Sequence, residues 1–256
     1  MEMLRDRPAE SADQTLGLVL ATDLDGTFLG GSDDERRALY TALEARDDVL
    51  LMFVTGRDVD FLRALVATPG MPRPRYVIGD VGTSIFDVEA DFAPLAHLEA
   101  EIAARWGNAN ARVAEMLKDE PGLKLQPTPF RHRMSYYYTP GLLQEASIRK
   151  IEDAGFDCLT SADVYLDVLP KGIAKGPTLT RMVEALGLPK DKVLVAGDTM
   201  NDLSMFQTGF KGVAVGNSEP RLVEALAGNP HTYRSPRPGA AGILDAIRHF
   251  QLEESS

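Results

Sequence analysis

Three short apolar runs, each broken off by a turn bearing a carboxylate or a hydroxyl, constrain this chain more than any other feature. They are Leu18-Val19-Leu20-Ala21 before Thr22-Asp23, Val49 to Val54 before Thr55-Gly56-Arg57, and Val193-Leu194-Val195-Ala196 before Gly197-Asp198. Short runs that do not alternate with polar residues suit strands buried on both faces of a parallel sheet. Tyr76-Val77-Ile78 and Val213-Ala214-Val215 read as further members.

Helical patterns lie between these runs. Ser32-Asp33-Asp34-Glu35 has the form of a capping box, and Leu39 and Leu43 follow on one face. Phe61, Leu62, Leu65 and Val66 stack within the stretch from Asp58 to Thr68. Pro177 suits a first helical position, ahead of Leu179, Met182, Val183 and Leu186. A last helix from Ala241 to Phe250 carries Ile243, Leu244 and Ile247. Alternating strand and helix predict an α/β core, Rossmann-like, around a mainly parallel sheet.

The middle of the chain breaks the alternation. Helical stretches at Leu95 to Trp106 and Ala111 to Lys118 precede extended pieces at Gly122 to Gln126 and Arg133 to Thr139. A helix from Leu142 to Ala154 and a strand near Phe156 to Leu159 complete it. This order predicts a separate α+β module over residues 88–165, inserted between core halves at 16–87 and 166–256. Residues 1–15, with acids and Pro and no apolar stretch, read as a flexible tail and not a signal peptide.

A formal net charge of -11 argues against a nucleic-acid partner, whose phosphates are held by clustered Lys and Arg. No apolar stretch is long enough to span a bilayer. A single cysteine, Cys158, excludes an internal disulfide and fits a reducing cytoplasm, the compartment expected here. None of the four histidines, His97, His132, His231 and His249, has metal-ligand spacing.

Ligands of open α/β sheets bind beyond the carboxyl ends of the strands. The three runs end there in Asp23-Leu24-Asp25-Gly26-Thr27, Thr55-Gly56-Arg57 and Gly197-Asp198-Thr199-Met200-Asn201-Asp202, so four carboxylates and a hydroxyl gather at one edge. Two unit charges about 4 Å apart repel by roughly 4 kcal/mol at an effective dielectric of about 20. Four carboxylates facing an anionic phosphate ester therefore need a divalent cation, and oxygen-only ligands favour Mg²⁺. On this reading Asp23 is the nucleophile. Asp25 protonates the leaving alcohol and later deprotonates water. Thr55 and Gly56 bind phosphoryl oxygens, and Lys175 supplies fixed positive charge. Asp23, Asp25 and Asp198 form the metal set, with Asn201 and Asp202 behind it.

The motifs DLDGT, VTGR, KG-Pro and GDTMND resemble, in that order, the four motifs of the haloacid dehalogenase superfamily. The insert resembles that superfamily's α+β (type IIB) cap domain. Within it the chain is similar to the sucrose-phosphate phosphatase family, on Asp80-Val81-Gly82-Thr83-Ser84-Ile85-Phe86, Arg133-Met134-Ser135-Tyr136, Leu166-Asp167-Val168-Leu169-Pro170 and the segment from Ala241 to Phe250. Gly26 and Thr199-Met200 depart from residues common in that family, which bears on the sugar and not on the phosphate chemistry. The resemblance implies a Mg²⁺-dependent phosphatase forming an aspartyl-phosphate and acting on sucrose 6-phosphate or a related disaccharide phosphate. A sugar-phosphate synthase (a glycosyltransferase) is its implied partner. A phosphatase of a nucleotide, flavin or other glycosyl phosphate and a phosphosugar mutase are the alternatives.

Several further positions have two readings. Arg57 is a surface salt bridge or a substrate contact. Asp80 and Thr83 line the substrate entry or build a turn. Arg133 and Tyr136 sit on an ordinary sheet face or turn toward the cleft to meet sugar hydroxyls. Lys171 competes with the favoured Lys175 for phosphate and otherwise serves as a hinge or substrate residue.

Overall fold

Strand Leu18–Thr22 (β1) is buried along its whole length. Leu18 and Leu20 enter one apolar cluster and Val19 and Ala21 another, so the sheet around β1 is covered on both faces. The structure, a computed structural model, describes residues 16–128 and 130–253, so the expected tail at 1–15 lies outside the described residues.

The next strands in chain order are Val49–Val54 (β2), Tyr76–Gly79 (β3), Ser84–Asp87 (β4), Ala93–Pro94 (β5), Leu123–Leu125 (β6) and Met134–Tyr138 (β7). Phe156–Ser161 (β8), Tyr165–Pro170 (β9), Val193–Gly197 (β10), Lys211–Ala214 (β11) and Thr232–Arg234 (β12) follow. One eight-stranded sheet runs β12-β11-β10-β1-β2-β3-β4-β5, and a four-stranded sheet runs β6-β7-β9-β8. In the large sheet β12 through β3 are parallel, and β4 and β5 return antiparallel. The α/β class with a mainly parallel core is therefore observed. Chain order breaks at β1, which pairs with β2 on one side and β10 on the other. Such a break leaves a crevice at the carboxyl ends of the strands.

The small sheet differs from the expected boundary at 165/166. Strand β9 pairs with β7 and β8, so Tyr165–Pro170 belongs to the inserted sheet and not to the core. Its mostly apolar segment, Leu166-Asp167-Val168-Leu169, lies directly before the Lys175 helix start, which hides its antiparallel pairing within the insert. At the other end β5 pairs with β4, so the large sheet extends past residue 87. The insert has its own apolar cluster, with Trp106, Val113, Ile151, Phe156, Leu166 and Val168.

Helix boundaries follow local chemistry. Ser32 and Glu35 form the expected capping box on the helix Asp33–Glu44. Asp58 caps Val59–Val66 by accepting from the amides of Asp60 and Phe61. The insert's Glu145–Asp153 begins three residues later than Leu142, because Thr139-Pro140-Gly141 forms a turn that includes Leu142. No helix among the described residues is long and apolar enough to cross a membrane.

Candidate active site

Asp23 follows β1 directly, and its amide donates to the Ala196 carbonyl of β10 at 2.9 Å. The chain then turns sharply through Gly26, where φ is +79°, and a Cβ there would lie 2.2 Å from Asp198 Oδ2. Both the left-handed conformation and the close approach require glycine. Thr27, one residue on, donates to Asp198 Oδ1 at 2.9 Å. The loops after β1 and β10 are thus packed backbone against carboxylate.

Lys175 opens the helix Lys175–Ala185 and is fully buried. Its ammonium donates to Asp23 Oδ1 at 2.7 Å, Asn201 Oδ1 at 2.8 Å and Asp202 Oδ1 at 2.6 Å. Burial works against its charge, yet the Asp202 and Asp23 carboxylates outweigh this and hold it above its ordinary range. Asp202 spends its other oxygen on the amides of Asp198 at 2.9 Å and Thr199 at 3.0 Å. Every oxygen of Asp202 is thereby occupied by donors of the protein, which makes it a brace for the loop.

Asp23, Asp198 and Asp202 bring carboxylate oxygens within 4.8 Å of one another, with Lys175 as the cation among them. The crowding shows in their protonation. Burial raises the Asp23 carboxyl well above its ordinary value, with Lys175 opposing and Asp202 and Asp198 adding to the rise. Burial, reinforced by Asp202, pushes Asp198 up to about 7. A cation between Asp23 and Asp198 would relieve both, and their oxygen-only donor set fits a hard divalent ion.

Asp25, expected in the metal set, is not part of this cluster. Its carboxylate pairs with Arg57 in two hydrogen bonds of 2.7 Å each, on side chains about half exposed. Arg57 also lies over the Phe61 ring at 4.3 Å. The pair forms part of the lining of a cleft of about 480 Å³ between the large sheet's turns and the inserted sheet. Asp23, Gly56 and Asn201 reach it from the core, and Arg133, Tyr137 and Tyr165 from the insert. Thr55 is buried beside it and accepts from the Arg57 amide at 3.2 Å.

The candidate substrate residues divide. Arg133 reaches the cleft, but its guanidinium is already bonded to Asp167 Oδ1 at 2.6 Å and the Gly56 carbonyl at 2.8 Å. Tyr136 turns away into the insert's own core, because a strand's period of two puts it on the face opposite Tyr137. Burial raises its hydroxyl to about 12. Thr83 is fully buried and donates to the Asp80 carbonyl, a turn contact. Lys171 is exposed and paired with Asp157 at 2.6 Å, outside the cleft lining. Asp80 is buried beneath the entry, its Oδ2 accepting from Ser84 at 2.6 Å.

Two residues at the site escape the sequence reading. Asn217 donates to the Gly26 carbonyl at 3.0 Å, and its own carbonyl accepts from the Gly239 amide at 2.8 Å. Glu219 accepts from the Met200 amide at 3.0 Å and from the Ala162 amide of the insert at 2.8 Å, so it ties insert to core. Both follow the run Val213-Ala214-Val215, a fourth strand end at the same edge, which was the available signal.

Comparison with known proteins gives this arrangement a family. A family model described as sucrose-6F-phosphate phosphohydrolase matches residues 16–251. The chain belongs to this family. Members of the sucrose-6F-phosphate phosphohydrolase family are phosphoric monoester hydrolases of the haloacid dehalogenase superfamily. A solved family structure, the sucrose-phosphatase from Synechocystis in complex with sucrose and phosphate, superimposes with a TM-score of 0.83 at 26% identity, covering 92% of this chain and 98% of that one. The mannosylfructose-phosphate phosphatase of Agrobacterium fabrum is 30% identical over 243 residues, 91% of this chain and 97% of that protein. The glucosylglycerol-phosphate synthase of Pseudomonas anguilliseptica is 40% identical over 234 residues, 91% of this chain but 31% of that protein's length.

Proposed function

We propose that this chain hydrolyses the phosphate monoester of a glycoside, sucrose 6-phosphate or a related disaccharide phosphate, through a phospho-aspartate on Asp23. The observation that carries the reading is the Lys175 ammonium, which gathers Asp23, Asn201 and Asp202 onto one buried cation. A buried lysine so placed fixes the nucleophile through Oδ1 and leaves Oδ2 to attack phosphorus in line.

Asp23 and Asp198 would hold Mg²⁺, which offsets the charge of the carboxylates and of the incoming phosphate. The residues do the rest. The Asp23 oxygen bonds to phosphorus as the ester P–O bond breaks, and Asp25, entering the step protonated on one oxygen and keeping a single Arg57 hydrogen bond on the other, gives that proton to the departing alcohol oxygen. Asp25 then takes a proton from water, whose oxygen attacks phosphorus and returns Asp23 as a carboxylate. Thr55 and the Gly56 amide bind phosphoryl oxygens, and Arg57 orients Asp25 at the cleft floor.

A second reading of the substrate is glucosylglycerol phosphate, favoured by 40% identity to the Pseudomonas protein against 30% to the Agrobacterium phosphatase. The deciding experiment measures inorganic phosphate released from sucrose 6-phosphate, mannosylfructose phosphate and glucosylglycerol phosphate, with Mg²⁺ and with chelator. Release without any acceptor sugar is expected, which a mutase would not give. Asp23→Asn is expected to lower turnover by roughly 10⁴-fold or more, the scale for loss of a nucleophile. Unchanged turnover in that variant would remove the mechanism.

A further inference from the structure

Among the described residues, four buried side-chain polar atoms lack a hydrogen-bond partner, and two of them belong to the neighbouring side chains of Asp80 and Arg133. They are Asp80 Oδ1, on the core, and Arg133 Nε, on the insert. Arg133 Nη2 lies 3.6 Å from Asp80 Oδ1, too far for a hydrogen bond and near enough for a small shift to make one. An unsatisfied buried carboxylate oxygen beside a buried guanidinium is costly, and that shift would give Asp80 Oδ1 its partner.

The guanidinium is held firmly on the insert's side. Asp167 of β9 accepts from Nη1 at 2.6 Å, and the plane stacks on the Phe130 ring at 3.7 Å. On the core side Nη2 donates to the Gly56 carbonyl at 2.8 Å. Gly56 stands in the turn expected to bind the phosphoryl group. That turn is itself bonded to the next one, since the Asp80 amide donates to the Arg57 carbonyl at 3.1 Å and the Val81 amide to the Thr55 carbonyl at 3.0 Å. Asp80 and Val81 hold left-handed φ values of +53° and +58°, a strained pair that persists because its surroundings fix it. Arg133 therefore spans the insert and two coupled turns of the core.

We propose that Arg133 is a positioning residue, a latch by which the insert grips the phosphate-binding turn. Its guanidinium holds the Gly56 carbonyl and takes the unpartnered Asp80 oxygen as the insert closes over substrate. This replaces a direct role in binding sugar hydroxyls, because the guanidinium is buried and two of its donors are already committed to Asp167 and the Gly56 carbonyl. The latch rests on the phosphatase reading only for its consequence on turnover.

The test compares wild type with Arg133→Met/Asp167→Asn, which removes the guanidinium without leaving Asp167 as an unpaired buried charge, and with Asp80→Asn, which keeps shape. Hydrogen exchange of the Asp80 and Val81 amides is expected to quicken roughly tenfold in both variants. Turnover is expected to fall roughly 10- to 100-fold, equally on a glycosyl phosphate and on p-nitrophenyl phosphate, which has no sugar. Unchanged exchange, or a rise in KM confined to the glycosyl ester, would overturn the latch. If wild type turned over no phosphate ester the functional reading would fall, and the exchange comparison would still decide the latch.

Discussion

Lys175 stands where three loops meet, and its burial explains why the site stays assembled. Removing its charge would leave Asp23, Asp198 and Asp202 as buried carboxylates without the protein cation that separates them. Asp198 already shows the strain, its carboxyl lifted to about 7 by burial and by Asp202. The sign follows from linkage. Between the ordinary carboxylate range and about 7 the folded protein binds this proton more tightly than the unfolded chain, so the metal-free fold loses stability as pH rises through that window. Mg²⁺ bound to the carboxylate must displace the proton. Binding at pH 6 is therefore expected to release close to one proton from Asp198, any proton held by Asp23 adding to it, and the release should fall as pH rises through about 7. Calorimetry in buffers of different ionisation enthalpy measures the number directly. No release at pH 6 would remove Asp198 from the metal set.

Residue identity was legible where a motif met a strand end. Asp23, Asp198 and Asp202 come together because parallel strands deliver their following turns to one edge, and Lys175 joins them from the start of the helix Lys175–Ala185. Less was legible where orientation mattered. Asp25 belongs to the same motif as Asp23, yet its carboxylate points to Arg57, and spacing alone does not tell a partner on a neighbouring turn from a metal.

At the scale of elements, the antiparallel pair β7 and β9 decides what the cleft presents to a sugar. Their register sets Tyr137 opposite Tyr165, with ring centroids 5.9 Å apart and both side chains exposed in the cleft lining. Aromatic faces offer apolar contact to the C–H face of a pyranose ring while their hydroxyls stay wet. Replacing both tyrosines with Ala is expected to raise KM for a glycosyl phosphate roughly tenfold, from the loss of about 1–2 kcal/mol of contact. KM for p-nitrophenyl phosphate, which does not reach that far, should stay unchanged. An equal rise on both esters would show that the pair shapes the insert and does not meet the sugar. The period of two was enough to separate Tyr137 from Tyr136 by sequence, but which face met the cleft needed the pairing partner. Strand β9 was missed as part of the insert for a related reason. It lies directly before the Lys175 helix start, where a core strand is expected, and its neighbours β7 and β8 are set by long-range pairing.

For the molecule as a whole, the two sheets have distinct apolar clusters, joined by polar ties such as Arg133 to Gly56 and Ala162 to Glu219 and by the helix Ala96–Trp106, which places Ile102 in a large-sheet cluster and Trp106 in the insert's. Alternating strand and helix made the large sheet visible from sequence. The small sheet's helices were visible too, while the short strands β4, β5 and β12 carried too few apolar residues to register. Separate cores imply separable stability. Phe156 is buried against Trp106 at 5.3 Å between ring centroids, in the insert's cluster alone. Phe156→Ala should cost about 3–5 kcal/mol, a large share of the 5–15 kcal/mol typical of a whole domain. Scanning calorimetry is expected to show a new early transition, lowered by more than roughly 10 °C, while the transition of the large sheet holds. Hydrolysis of p-nitrophenyl phosphate and of a glycosyl phosphate should then fall together at that early transition, because the Arg133 hold on the Gly56 carbonyl is lost with the insert. A single transition shifted as one unit would mean that the polar ties couple the cores into one cooperative fold, with Arg133 and Glu219 as the residues to remove next.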